Sequence, residues 1–274
     1  MEINQTLKRL YHKDYKLIQT DLGLSNEISL IEVDNEIKAV LRVASKDINE
    51  FVHRQLEREI QLKIKRLNLD FEEVYYDNDE HYRITKYINN LNTFAQENAN
   101  DKYLKVVSLI KKFHNLDLKT DIDFALDKKY ASFVKNIKKP LLNYNQYQYI
   151  IDEFVNLPGQ QVLSHNDLVD GNLLFKGDKA YLIDYEYAGN NHPLFDLMSF
   201  LSENQIYDSS IRETVYEAYF EHKPTPEELK TLDIIESAQN ILWAAWANML
   251  YDNRHEKIYL DIFNDKITAL NIKK

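Results

Sequence analysis

Between residues 27 and 44 apolar and polar side chains alternate with a period of two: Ile28 and Leu30, then Ile37, Ala39, Leu41 and Val43, take one side, and Lys38, Val40 and Arg42 take the other. This alternation predicts two strands, and Asp34-Asn35 predicts the turn that joins them. From Lys46 to Leu67 the period lengthens to that of a helix, with Ile48, Phe51, Leu56, Ile60, Ile64 and Leu67 on one stripe and charges between them. Strand character returns from Glu73 to Asn90, broken by a polar turn at Asp77 to Glu80.

After Asn90 helical spacing dominates, most clearly from Lys102 to Leu116, where Leu104, Val107, Ile110 and Phe113 recur on one face. Residues 161–187 interrupt it with three short apolar runs, VLSH, NLLF and AYLIDY, the last two separated by the hairpin signal Gly177-Asp178. Thr225-Pro226-Glu227-Glu228 is a capping box with proline at the first helical position, which predicts a long helix from there to about Tyr251. The pattern as a whole predicts a mixed α/β (α+β) chain. A small sheet-rich N-lobe spans residues 1–88, a connector lies near Thr85 to Asn90, and a larger, mostly helical C-lobe spans residues 89–274.

Composition narrows the function. The 274 residues are 44% hydrophobic and 28% charged, enough to bury a sizeable core. The net charge of −10 argues against a nucleic-acid partner, whose phosphates demand clustered Lys and Arg, and is compatible with a cationic small-molecule substrate. Without cysteine there is no disulfide, thiolate metal site or thiol nucleophile, as suits a reducing compartment. The N-terminal residues lack the apolar run of a signal peptide. The longest apolar stretch, Ile241 to Leu250, is about half the ~20 residues that span a bilayer. A cytoplasmic protein with no membrane insertion is expected.

The segment that carries chemistry is His165-Asn166-Asp167-Leu168-Val169-Asp170-Gly171-Asn172, followed by Asp184 at the end of an apolar strand. Transfer of a phosphoryl group to a hydroxyl needs a carboxylate to orient or deprotonate the nucleophile and oxygen ligands to hold Mg²⁺ against the phosphates. Asp167, with His165 beside it in the loop, suits the first task; Asn172 and Asp184 suit the second. The hairpin between Asn172 and Asp184 lets the two approach. Each residue alone reads equally as an ordinary turn or strand-end residue, but the ordered set matches the logic of a kinase site.

On the nucleotide side, Gly23, Ser25 and Asn26 precede the first strand and offer backbone N–H groups to phosphates. Arg42 ends AVLR, where a protein kinase carries a phosphate-pairing lysine; its partner is Glu57 in HRQLE, with Glu59 as the alternative and an Arg54–Glu57 pair within the helix as the plain structural reading. Adenine is expected near Val40 and the connector residues Thr85 and Tyr87. For the acceptor, Trp243 and Trp246 share a helical face. Such a pair reads as core packing or as a cation–π cage, with Glu186, Glu203, Tyr185, Tyr187 and Tyr207 near in sequence to complete it.

SHNDLVDGNLLF and LIDYEYAGNNHPLFDL resemble the catalytic and metal-binding motifs of the aminoglycoside phosphotransferase and choline/ethanolamine kinase group, over residues 22 to 251. LWAAW and the segment ending at Glu203 resemble the choline kinase members, and the shortness of the chain resembles their bacterial type. The resemblance implies a protein-kinase-like two-lobed fold. It implies an ATP- and Mg²⁺-dependent kinase with Asp167 as base, Asn172 and Asp184 on the metal, Glu186 assisting through water and Asp196 bracing the loop. The implied acceptor is choline, held by Trp243, Trp246, Glu203, Tyr187 and Tyr207; ethanolamine, thiamine or aminoglycoside kinases, and a pseudokinase-like nucleotide-binding module, are the alternatives. Val169 departs from the glutamine common at that position.

Overall fold

The computed structural model describes residues 3–20, 26–44, 53–67, 69–77, 82–116 and 118–272. The sequence candidates Gly23 and Ser25, the helical positions Ile48 and Phe51, and turn residues 78–80 lie outside them. In chain order the elements are α1 (Ile3–Tyr11), β1 (Tyr15–Gln19), β2 (Asn26–Val33), β3 (Glu36–Ala44), α2 (Arg54–Ile64), β4 (Glu73–Asp77), β5 (Tyr82–Lys86), β6 (Asn92–Thr93) and α3 (Lys102–His114). There follow α4 (Leu126–Asn136), α5 (Gln148–Val155), β7 (Val162–Ser164), β8 (Leu173–Lys176), β9 (Lys179–Leu182), β10 (Gly189–Asn191), α6 (Leu194–Glu203), α7 (Ser209–Phe220), α8 (Pro226–Arg254) and α9 (Lys257–Ile272). The chain divides into two compact units, Met1–Leu109 with Asp170–Tyr187, and Ile110–Val169 with Ala188–Lys274.

The first unit holds the antiparallel sheet β1-β2-β3-β5-β4. The β2–β3 turn falls at Asp34-Asn35 as the pattern predicts, both residues taking the left-handed conformation (φ 53° and 62°) that a two-residue hairpin turn favours. Alternation then sorts the sheet: Ile31, Ala39, Leu41, Tyr82 and Ile84 form a dry core with Leu7 of α1. Neither α1 nor β1 is signalled by the sequence pattern; α1 seals this face, and the Tyr82 hydroxyl donates to Thr6 Oγ1 at 2.7 Å. Odd and even positions separate here, so Arg42 points away from that core and pairs with Glu57 of α2. A second sheet, β6-β8-β9, turns at Gly177-Asp178, with Gly177 at φ 57°.

In the second unit α8 is buried from Ala238 to Leu250, and α4, α5, α6 and α9 pack against it. Thr225 and Glu228 close the predicted capping box, and the helix runs to Arg254, three residues past the expected end, where His255 turns left-handed at φ 57°. The three-residue strands β7 and β10 pair with Ser164 opposite Gly189. One expectation is corrected: Leu104 of α3 is 46% exposed, and the buried positions of that helix include Val106, Val107, Ile110 and Phe113. A polar residue separates Leu104 from the true stripe, which follows the 3–4 spacing from Val106 onward. No described helix is long and apolar enough to cross a membrane.

Candidate active site

In the first unit a connected set of charges surrounds Arg42. Its guanidinium pairs with Glu57, with Asp184 Oδ1 at 2.7 Å and with Glu186 Oε2 at 3.1 Å. Glu57 is the partner, as expected, while Glu59 lies exposed and takes a bond from Gln55. The intrahelical reading also holds: Arg54 reaches Glu57 at 3.0 Å and Glu186 at 3.1 Å. The sequence offered Arg54 only as an intrahelical partner of Glu57; its side chain is 10% exposed and reaches Glu186 as well. Asn26 donates its Nδ2 to Glu186 at 3.0 Å. Glu186 Oε2 thus accepts from Asn26, Arg42 and Arg54, so this carboxylate is committed to fixing the two arginines.

The electrostatics of this set leave one negative charge uncompensated, because two guanidinium groups face three carboxylates. Burial pushes the Asp184 carboxyl up from its ordinary value, Arg42 opposes the rise, and Glu186 and Glu57 add to it. Asp184 Oδ1 lies near Arg42 yet accepts no well-aligned hydrogen bond. Such an oxygen suits a divalent cation. Asn172 is buried beside it in the hairpin, its backbone carbonyl accepting from Ile183 N–H at 3.1 Å. Among the described residues no three His, Asp or Glu side chains gather into a metal cage. Asn172 and Asp184 offer oxygen donors of the kind Mg²⁺ takes alongside phosphate and water.

At the positions that the sequence offers for adenine, β3 and β5 place Val40 opposite Thr85. Thr85 is buried and Tyr87 is 39% exposed, its backbone N–H donating to Lys38 O at 3.0 Å.

In the second unit the loop carrying Asp167 is held by α6. Asp196, fully buried, accepts the His165 N–H on Oδ2 at 2.8 Å, the Asn166 N–H on Oδ1 at 2.7 Å, and lies 2.9 Å from His114 Nε2 of α3. Ser199 Oγ accepts the Leu168 N–H at 3.0 Å, and Asn204 Nδ2 donates to the Leu168 carbonyl at 2.8 Å. Asn166 stands in the left-handed region at φ 69°, as does Asp184 at φ 68°, and Asn191 Nδ2 donates to Asn166 Oδ1 at 2.8 Å. The loop is thereby fixed on both sides of Asp167, which is half-buried. His165 is fully buried with its ring edge on Phe113, a bracing position rather than one open to a substrate. Ser199, Asn204 and His114 were not singled out in the sequence; only Ser199 carries a signal there, three residues after Asp196 on the same helix.

Burial works against the Asp196 charge, but His114 and, after it, the backbone N–H of His165 outweigh it and hold the carboxyl below the ordinary range. A depressed folded value means that this stabilisation is complete above the unfolded value near ~4 and is lost as pH falls through the lower folded one. Asp196→Asn is expected to cost about 2–5 kcal/mol at neutral pH, through loss of a buried charge and a donor turned against backbone N–H groups. The gap from wild type should narrow as pH drops below ~4. Chemical denaturation at pH 7 and pH 3 checks both; an equal loss at each pH rules out the charge argument.

The acceptor candidates fall into four arrangements. Trp243 and Trp246 are 7% and 8% exposed and meet edge to face with ring centres 6.1 Å apart; Trp243 also neighbours Phe124 and Trp246 neighbours Tyr259. Glu203 at the end of α6 forms an ion pair with Lys266 of α9 at 2.6 Å. Tyr207 is 57% exposed with the Arg212 guanidinium 5.9 Å from its ring centre. Tyr187 is buried and belongs to the first unit, as do Tyr185 and Glu186.

Known proteins resemble this chain in sequence and fold. Protein LicA of Haemophilus influenzae is 24% identical over 242 residues, which cover 83% of this chain and 71% of that protein. The crystal structure of choline kinase LicA from Streptococcus pneumoniae superposes with a TM-score of 0.80 at 19% identity, covering 98% of this chain and 97% of that one. A choline/ethanolamine kinase family protein from Mesorhizobium loti gives 0.78 at 18% identity, covering 99% and 94%. The fold is therefore that of these kinases. The model of the phosphotransferase enzyme family matches residues 17–232, a span that contains Arg42, Glu57, Asp167, Asn172, Asp184 and Asp196, and the chain accordingly belongs to that family.

Proposed function

We propose that the protein transfers the γ-phosphoryl group of ATP to the hydroxyl of a small cationic alcohol, choline first among them. The observation that carries this reading is the buried set Arg42, Glu57, Asp184 and Glu186, which presents a fixed guanidinium and an under-compensated carboxylate to a nucleotide's charge. Arg42 grips phosphate oxygens while Glu57 and Glu186 hold it in place. Mg²⁺, when bound by Asn172 and Asp184, supplies neutralisation of charge on the phosphates. The acceptor oxygen attacks the γ-phosphorus, its proton passes to the Asp167 carboxylate, and the bond from phosphorus to the ADP oxygen breaks.

For the acceptor, the tryptophans supply ring faces suited to a trimethylammonium group, which has no N–H to donate. Glu203 adds long-range attraction. The LicA relative from S. pneumoniae is named a choline kinase, and the M. loti neighbour belongs to a choline/ethanolamine kinase family.

The deciding experiment is ATP-dependent phosphorylation of choline, ethanolamine, thiamine and an aminoglycoside, each at matched concentration with and without Mg²⁺. Choline is expected to give the highest kcat/KM. Absence of turnover on every member would return the protein to a nucleotide-binding role alone. With choline as acceptor, Trp243→Phe and Trp246→Phe should raise its KM about tenfold and leave that for ATP unchanged, since a smaller ring gives a weaker cation–π contact worth ~1–2 kcal/mol. Thermal denaturation of the same variants distinguishes packing: a lower Tm with an unchanged choline KM would assign the tryptophans to the core.

A further inference from the structure

The face of α9 that packs on α8 reads Tyr259, Phe263, Lys266 and Leu270, at 1%, 6%, 8% and 4% exposure. A lysine occupies a position whose neighbours on the stripe are all apolar. It is paired with Glu203, the two side chains being only 10% and 12% exposed. Replacing such a buried ion pair with apolar residues of similar volume is often neutral or stabilising, so stability alone gives no reason for a charge here.

Both members of the pair stand on helices that pack against α8, which carries the tryptophans. Ser202 Oγ meets Asn240 Oδ1 at 3.3 Å, which sets the end of α6 one turn from Trp243. Tyr259 meets Trp246 edge to face across the α8–α9 hairpin, so seven residues further along α9 bring Lys266 level with Gln239 and Asn240. Glu203 Oε1, the oxygen that faces the ammonium, accepts no other hydrogen bond.

We infer that Lys266 is a specificity-determining residue: it occupies Glu203 as an internal ammonium and so biases the enzyme toward quaternary over primary amine acceptors. The inference rests on the acceptor reading above. A primary ammonium binds a carboxylate by donating N–H bonds, and here must displace another ammonium from the same oxygen. A quaternary ammonium makes no such bond; its close contacts are with rings, and the carboxylate adds only distant attraction, which Lys266 offsets for both acceptors alike. The lysine thus withholds the one contact that only a primary amine can use.

The test is the ratio of kcat/KM for ethanolamine to that for choline, measured in wild type, Lys266→Met and Lys266→Gln. Methionine keeps the volume and removes the charge; glutamine retains a donor to Glu203 should the methionine variant fold poorly. Both acceptors gain from the freed carboxylate, and ethanolamine gains more, so the ratio should rise at least tenfold in the methionine variant and by a smaller factor in the glutamine one. An unchanged ratio in a folded, active variant overturns the role of Lys266 and leaves the acceptor reading standing. Wild type that phosphorylates neither amine overturns the acceptor reading, and the inference with it. A fall in turnover on both acceptors by the same factor, with the ratio fixed, marks the pair as structural.

Discussion

Asp167→Asn should lower kcat by roughly 10²–10⁴-fold while leaving the KM for ATP and the thermal midpoint near their wild-type values. The expectation follows from where the restraint on the loop comes from. Backbone groups of His165, Asn166 and Leu168 are tied to Asp196, Ser199 and Asn204, so the loop's path is held on both flanks of Asp167. An amide of the same shape keeps the path and loses the only function a carboxylate adds, acceptance of the hydroxyl proton. Steady-state kinetics with the best acceptor, beside a melting curve, reads both quantities. A variant with near-normal kcat would remove Asp167 from the reaction; one that melts early would make it a structural residue.

Asp184→Ala should abolish magnesium-dependent turnover without unfolding the first unit. The argument is one of charge. With Asp184 removed, Arg42 and Arg54 still face Glu57 and Glu186, and the buried set becomes balanced. What is lost is the oxygen that accepts no aligned hydrogen bond, the one fitted to a divalent ion. Magnesium titration of residual activity and calorimetric binding of ATP with and without the metal separate the outcomes. Retention of the wild-type magnesium dependence would show that Asp184 serves only to pair Arg42.

Legibility in the sequence followed the range of the interactions. The Asp34-Asn35 turn, the Gly177-Asp178 hairpin and the Thr225 capping box each depend on residues within four positions, and each stands where the local chemistry put it. Arg42 and Glu57 were legible because alternation sends one off a strand and periodicity brings the other inward on the next helix. The pairing of β7 with β10 was not: VLSH marks the first strand, but the three residues of β10 carry too little alternation, and the pairing joins segments about 25 residues apart. For the same reason Ser199, Asn204 and His114 escaped notice, since their partners lie on other elements. Lys266 was masked by a helix whose apolar stripe becomes visible only once α8 is known to cover it. Leu104 shows the opposite error, an apolar residue counted into a stripe that begins two positions later.

Asn166 and Asp184 each hold a backbone conformation that side-chain-bearing residues adopt at a cost, of order 1 kcal/mol apiece even for Asn and Asp. The two torsions belong to the segments that carry the proposed base and the proposed metal ligand. At Asp184 glycine would relieve the torsion and remove the proposed metal ligand together, whereas at Asn166 it would also strip the buried side-chain bonds to Ser164, Gly189 and Asn191. A lineage of this family that drifts toward mere binding should therefore lose its left-handed aspartate before it loses its core.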